Sequence, residues 1–266
     1  MAWQGPCRDR NDWKAYRLSI EWEAPAIVLD ARGYGEGDAV ATVLTEAHGA
    51  HRGLARGGSS RRGAATWQAG NLVQARWTAR LSDQLGSLAA EPVHQPAALV
   101  MDDPLLLAVL AAACAVAAGA LPEREPHPRV FGGLLHLLAT LGRGPEALAD
   151  LVRWEAALLA DLGYGLDLAN CAVTGATEDL RYVSPRTGRA VSVAGAGAFA
   201  DRLLALPALL RDDAAAGDAA AWRDGLRLTG HFLARDAFGH RHLPLPAARA
   251  ALYDRVGALA ETNPDG

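Results

Sequence analysis

From residue 71 to residue 80 the chain reads NLVQARWTAR, and its side chains alternate. Leu72, Gln74, Arg76, Thr78 and Arg80 fall on one face, and Val73, Ala75, Trp77 and Ala79 on the other. Period two marks a half-buried strand, with the core on the Trp77 side and an exposed basic surface on the Arg76 side. Four further stretches have strand texture: AIVLDAR (26–32), AVATVLT (39–45), AHRGLARG (50–57) and LGSLAAEP (85–92). Turn clusters, GYGEGD (33–38) and EAHG (46–49), separate the first three. Five short strands with glycine-rich turns predict a small antiparallel barrel or sandwich.

After Pro96 the period changes to that of helices. Asp102 and Asp103 precede Pro104, a cap followed by a first-turn proline, and open the run LLLAVLAAACAVAAGAL (105–121). That run is slightly short of a membrane span and has no basic or aromatic anchors, so it predicts a buried helix of a bundle. PEREPHP (122–128) breaks it, VFGGLLHLLATL (130–141) is a second helix, and a third starts at Pro145 and ends at Gly163. NCAVTGATEDLRYVSPRTGRAVS (170–192) is a compact non-helical insert. Helices are expected over roughly 198–211, 219–237 and 246–260. The fold class is therefore α+β, a five-stranded N-terminal barrel followed by a mostly α-helical domain. The expected organisation is an extension over 1–20, a barrel domain over 21–95 and a helical domain over 96–266.

The chain carries a net charge of −4, which argues against a general nucleic-acid binder until the distribution is read. From Ala47 to Ser82 there are six arginines (Arg52, Arg56, Arg61, Arg62, Arg76 and Arg80) and no acidic residue, leaving −10 (−4 less +6) on the rest. Charge segregated in this way signals a partner rather than mere solubility. Phosphate contacts need cations on a surface without competing carboxylates, and Gly53, Gly57 and Gly58 allow close backbone approach. These six arginines, with His51 as accessory, are the candidate DNA-contacting residues.

Other motifs point to ordinary structure. GYGEGD follows a strand but precedes another strand, so it is a hairpin turn and not a dinucleotide loop. GAGAFADRL (195–203) lacks a preceding βαβ strand, and no phosphate-binding P-loop is present. His231, His240 and His242, with Asp236, are too loosely spaced for a metal site. Ser59 and Ser60 are phosphate donors or turn residues, and Trp77 is a core residue before it is a stacking platform. Cys171 fits a small buried hydrophobe better than a nucleophile, so a hydrolase is a distant reading. Three scattered cysteines suit a reducing, cytoplasmic compartment, and the polar N-terminus is no secretory signal.

The stretches EWEAPAIVLDARGYGEGDAVATVLTEAHGAHRGLARGGSSRR, QAGNLVQARWTARLSDQLGSLAAEP, LPEREPHPRVFGGLLHLL and DLGYGLDLANCAVTGATEDLRYVSPRTGRAVS carry a resemblance. From about Glu21 to Val256 the chain resembles the RecO family, bacterial recombination mediators of the RecF pathway, in its alphaproteobacterial form. The resemblance implies an N-terminal OB-fold, a helical domain, and a small subdomain inserted at about 170–192. It implies binding of single- and double-stranded DNA and annealing of complementary strands. It also implies partnership with RecR, contact with the acidic tail of single-strand-binding protein (SSB), and help in loading RecA. No covalent reaction and no cofactor are implied, and the location is cytoplasmic and nucleoid-associated. Many family members hold zinc with four cysteines in the insert. Here Cys171 stands alone, Thr174 takes the other half of the first pair, and the second pair is missing around Val191–Gly195, so zinc is not expected. The family begins near Glu21-Trp22, which makes residues 1–20 an upstream start-site extension. The alternative to a DNA-annealing protein is an adaptor whose basic barrel binds acidic tails or a partner subunit.

Overall fold

The computed structural model describes residues 20–81 and 83–262, so the proposed extension over 1–20 lies almost wholly outside them. Five strands come first: β1 (Ile20–Tyr34), β2 (Asp38–Thr45), β3 (Gly49–Ala55), β4 (Leu72–Ala79) and β5 (Ser87–His94). They close into a barrel in the order β1-β2-β3-β5-β4, the expected OB-type arrangement. β1 is longer than the apolar run 26–32 because it serves two neighbours. Its first half pairs with β4 from Ile20 to Ile27, and its second half with β2 from Ala26 to Tyr34. A register shift between Val28 and Asp30 bends the strand between these tasks.

The run AIVL is apolar throughout because both faces of β1 are covered there. Ala26 and Val28 point into the barrel with Val43, Val73, Trp77 and Leu88. Ile27 and Leu29 point outward into the core of the helical bundle, with Leu44 and Ala50. The barrel interior is thus a core of its own, while the outward side chains of β1 to β3 belong to the core of the bundle.

Between β3 and β4 the chain forms a short helix, α1 (Arg61–Thr66), which the apolar pattern of RRGAAT did not reveal. Ser60 caps it, accepting from the Gly63 amide at 3.1 Å while donating to the Gly57 carbonyl at 2.6 Å. Ser59 donates to the Asp38 carbonyl. Both serines are therefore committed to the turn.

The helices that follow are α2 (Pro96–Leu99), α3 (Pro104–Ala120), α4 (Pro128–Thr140) and α5 (Ala147–Asp161). Asp103 caps α3 as expected, accepting from the Leu105 and Leu106 amides. Among the described residues no helix is long and apolar enough to cross a membrane. Within the insert β6 (Leu180–Val183) and β7 (Ala190–Ser192) form a hairpin. The helix expected over 198–211 is not continuous. It is replaced by α6 (Val193–Ala196), single 3-10 turns, and β8 (Leu204–Ala205), which adds to β6. Gly197 at a φ of 48° and Pro207 interrupt the helical path. α7 (Ala219–Phe232) continues as a π-helical segment to Phe238, and α8 (Ala247–Thr262) closes the bundle.

The link between barrel and bundle is itself structured. Glu123 bridges Ala50 in parallel, and the Arg124 amide donates to the Ala50 carbonyl at 2.8 Å. Gly49, at a φ of 65°, lies so close that an added Cβ would sit 2.0 Å from the Glu125 carbonyl oxygen. Only glycine permits this approach.

Candidate nucleic-acid interface

Alternation along β3 sends His51, Gly53 and Ala55 inward and Arg52 and Leu54 outward; on β4 it sends Trp77 inward and Arg76 outward. β5 joins the two strands: Ser87 pairs with Thr78 of β4 on one side and with Leu54 of β3 on the other. Arg52 and Arg56 stand two residues either side of Leu54, and Arg76 and Arg80 two residues either side of Thr78. Four arginines thus frame a strip of small exposed residues, Ser87 and Ala89. Arg61 and Arg62 project from the first turn of α1, exposed. All six arginines named from the sequence are solvent-exposed: Arg52 on β3 and Arg76 on β4, Arg56 and Arg80 just beyond those strands, and Arg61 and Arg62 on α1.

The acid-free window is not acid-free in space. Arg52 pairs with Glu123 at 3.3 Å, and Arg76 with Glu21 of β1 at 2.6 Å. Both arginines are about half exposed (53 % and 55 %), so each pair contributes only about 0–1 kcal/mol and a phosphate could displace the carboxylate. Arg56, Arg61, Arg62 and Arg80 make no ion pair among the described residues.

His51 does not join this surface. It is 7 % exposed and sits edge-on to Trp22 and Trp77, with His48 beside them. Burial, reinforced by the Arg124 guanidinium, pushes its pKa down to about 4, so the ring is neutral at pH 7. A lowered histidine pKa gives stability that is complete above the unfolded value near 6.5. It is lost as pH falls towards 4, because the unfolded chain takes up the proton first. Between pH 7 and pH 4 the wild type is expected to lose on the order of 2 kcal/mol more than His51→Gln, read from urea midpoints at each pH. Equal losses in the two proteins would show that His51 is not held neutral.

Three participants, Glu21, Glu123 and Arg124, leave no mark in the sequence pattern. Glu21 and Glu123 lie far along the chain from the arginines they meet. Arg124 places its guanidinium 5.7 Å from the centre of the Trp77 ring and donates to the Gln84 carbonyl. Arg52 also borders a groove of about 740 Å³ between barrel and bundle, whose wall includes Arg32, Ala115, Gly119 and Arg241. The histidines weighed as metal ligands do not converge. His231 meets the Pro185 carbonyl at 3.0 Å, and His240 stacks on Tyr164. Cys171 is buried, in keeping with a small core residue.

Two family models match the chain: Recombination protein O N terminal over residues 18–96 and Recombination protein O C terminal over 101–243. The chain belongs to the RecO family. Among its relatives, the DNA repair protein RecO of Granulibacter bethesdensis is 60% identical over 246 residues, covering 92% of this chain and 98% of that one. That of Acidiphilium cryptum is 61% identical over 240 residues, covering 89% and 96%. That of Rhodospirillum centenum is 50% identical over 247 residues, covering 92% and 98%. The RecO assignment accounts for the barrel, the bundle and their order, and sets the protein in DNA repair and recombination.

Proposed function

We propose that the protein is a non-catalytic recombination mediator that binds single- and double-stranded DNA through the outer face of β3, β5 and β4 together with α1. In this reading residues 21–95 are the DNA-binding unit, and the protein anneals complementary strands. It acts with RecR and with the SSB tail to help load RecA in the nucleoid. The observation that carries the reading is the set of six exposed arginines on β3, β4, the residues just beyond them and α1, of which Arg56, Arg61, Arg62 and Arg80 have no carboxylate partner among the described residues. Two phosphate backbones can approach each other only when their charge is neutralised, and reversible cationic contacts over small side chains provide that without fixing sequence.

Replacing Arg61 and Arg62 by Ala is expected to weaken binding similarly across sequences. It should also reduce the slope of log K against log salt by roughly one to two units, measured by titration on single-stranded DNA. An unchanged slope removes both residues from the interface. One observation favours a second reading: Arg52 and Arg76 already hold carboxylates. The same face could bind an acidic protein tail, as an adaptor would. Strand-annealing by the isolated protein separates the readings, since an adaptor would not accelerate duplex formation.

A further inference from the structure

The insert contains four positions that the sequence spaces like ligands and the fold brings to one point. Cys171 and Thr174 are separated by two residues, as are Ser192 and Gly195, and 17 residues lie between the pairs. Two such pairs at that separation are the spacing of a zinc ribbon. Space agrees with spacing. The Ser192 hydroxyl lies 3.3 Å from the Cys171 sulfur and 3.4 Å from the Thr174 hydroxyl. A Cβ added at Gly195 would lie 2.8 Å from that sulfur and 3.2 Å from the Ser192 hydroxyl. Sulfurs bound tetrahedrally at ~2.3 Å from zinc stand about 3.8 Å apart, so the four positions converge on one point but are drawn together more tightly than around an ion.

The side chains present do not fit a zinc ion. One thiol, two hydroxyls and a glycine give one strong ligand where a structural site needs four. The Cys171 sulfur instead accepts the Ser192 amide at 3.2 Å, the Thr174 amide at 3.4 Å and the Ser192 hydroxyl. Burial pushes the thiol up, but the donors of Ser192 and Thr174 outweigh it and hold the pKa at about 6. Ser192 is fixed in turn by the Gly195 amide, which it accepts at 3.1 Å as the cap of α6.

We infer that the insert is a metal knuckle rewired to hydrogen bonds. Cys171, Thr174, Ser192 and Gly195 occupy its four ligand positions, and a tetrahedral zinc site is one thiol per position away. The network on the Cys171 sulfur ties the loop 171–175 to β7, the task a zinc ion performs in such a fold. This inference does not depend on where DNA binds.

The test is the full-length chain carrying Thr174→Cys, Ser192→Cys and Gly195→Cys together. Gly195 is not in the left-handed region, so the backbone accepts a side chain there once the Cys171 sulfur, 2.8 Å from the added Cβ, turns aside. After zinc loading and dialysis the triple variant is expected to retain one zinc per chain, and with cobalt to show the intense visible absorption of tetrahedral thiolate coordination. Wild type should retain none. A control with Ala172→Cys, Glu178→Cys and Thr187→Cys, three exposed positions in the same insert, should also retain none. A folded triple variant that holds no zinc overturns the inference, and so does a control or wild type that holds one. If the triple variant does not fold without metal, refolding in zinc is expected to rescue it. The double variant Thr174→Cys with Ser192→Cys, supplying three thiols, should bind zinc more weakly. Failure of both overturns the inference.

Discussion

Replacing Glu155 by Ala is expected to destabilise the protein by about 3–5 kcal/mol. Glu155 and Arg249 are wholly buried, at 0 % and 1 % exposure, where α5, α7 and α8 meet. The carboxylate takes two guanidinium donors at 2.5 and 2.9 Å and the Thr229 hydroxyl at 2.5 Å. Arg249 also donates to the Leu226 carbonyl at 2.8 Å. Removing Glu155 leaves a buried cation with neutral acceptors only, which is the costly half of a broken pair. Two isolated charges in this place would be prohibitive, while the intact network is close to neutral against apolar substitutes. The double variant Glu155→Leu with Arg249→Met is therefore expected to recover most of the loss. Urea unfolding of the three proteins checks this. A single variant as stable as wild type would mean that Arg249 finds another partner or reaches water.

Trp77→Ala is expected to cost about 3–5 kcal/mol and to loosen barrel closure specifically. β3 and β5 share one paired position, Leu54 with Ser87, supported by the Leu54 amide donating to the Gly86 carbonyl at 3.0 Å. The Trp77 indole lies beneath this seam, and its N–H reaches both the Arg52 and Leu85 carbonyls at 3.1 Å. Gly86 lies against the ring, which leaves no room for a Cβ there. In the alanine variant hydrogen exchange at the Leu54 amide should accelerate more than at amides of the β1–β2 ladder. Trp77→Phe keeps much of the packing and loses the two polar contacts, so it should fall between. Uniform acceleration across the barrel would show that the indole fills space without closing the seam.

The strands were legible where one face is buried and the other wet, as in 71–80, because alternation then writes the pleat into the sequence. α1 was not, since RRGAAT buries no side chain and its helix rests on the Ser60 cap. The stretch 198–211 misled because alanine and leucine favour helix, while Gly197 and Pro207 interrupt it. The arginines of the candidate site were all visible as a charge window. Their partners Glu21 and Glu123 were not, because ion pairs across strands and domains leave no periodic trace. Adjacency alone groups His51 with the arginines, yet the alternation that exposes Arg52 turns its neighbour inward.

The docking of Glu123 and Arg124 against β3 has a consequence for synthesis. Arg52 and Glu123 are 71 residues apart, with all of β4, β5 and α3 between them. As the chain leaves the ribosome, the five strands emerge before the segment that finishes the edge of β3, and Ile27 and Leu44 wait for the bundle that covers them. The barrel is first in order of emergence but cannot be first to finish. Its last contacts arrive with the helices, so the edge of β3 and the outer face around Ile27 and Leu44 are completed only after the bundle segments have emerged.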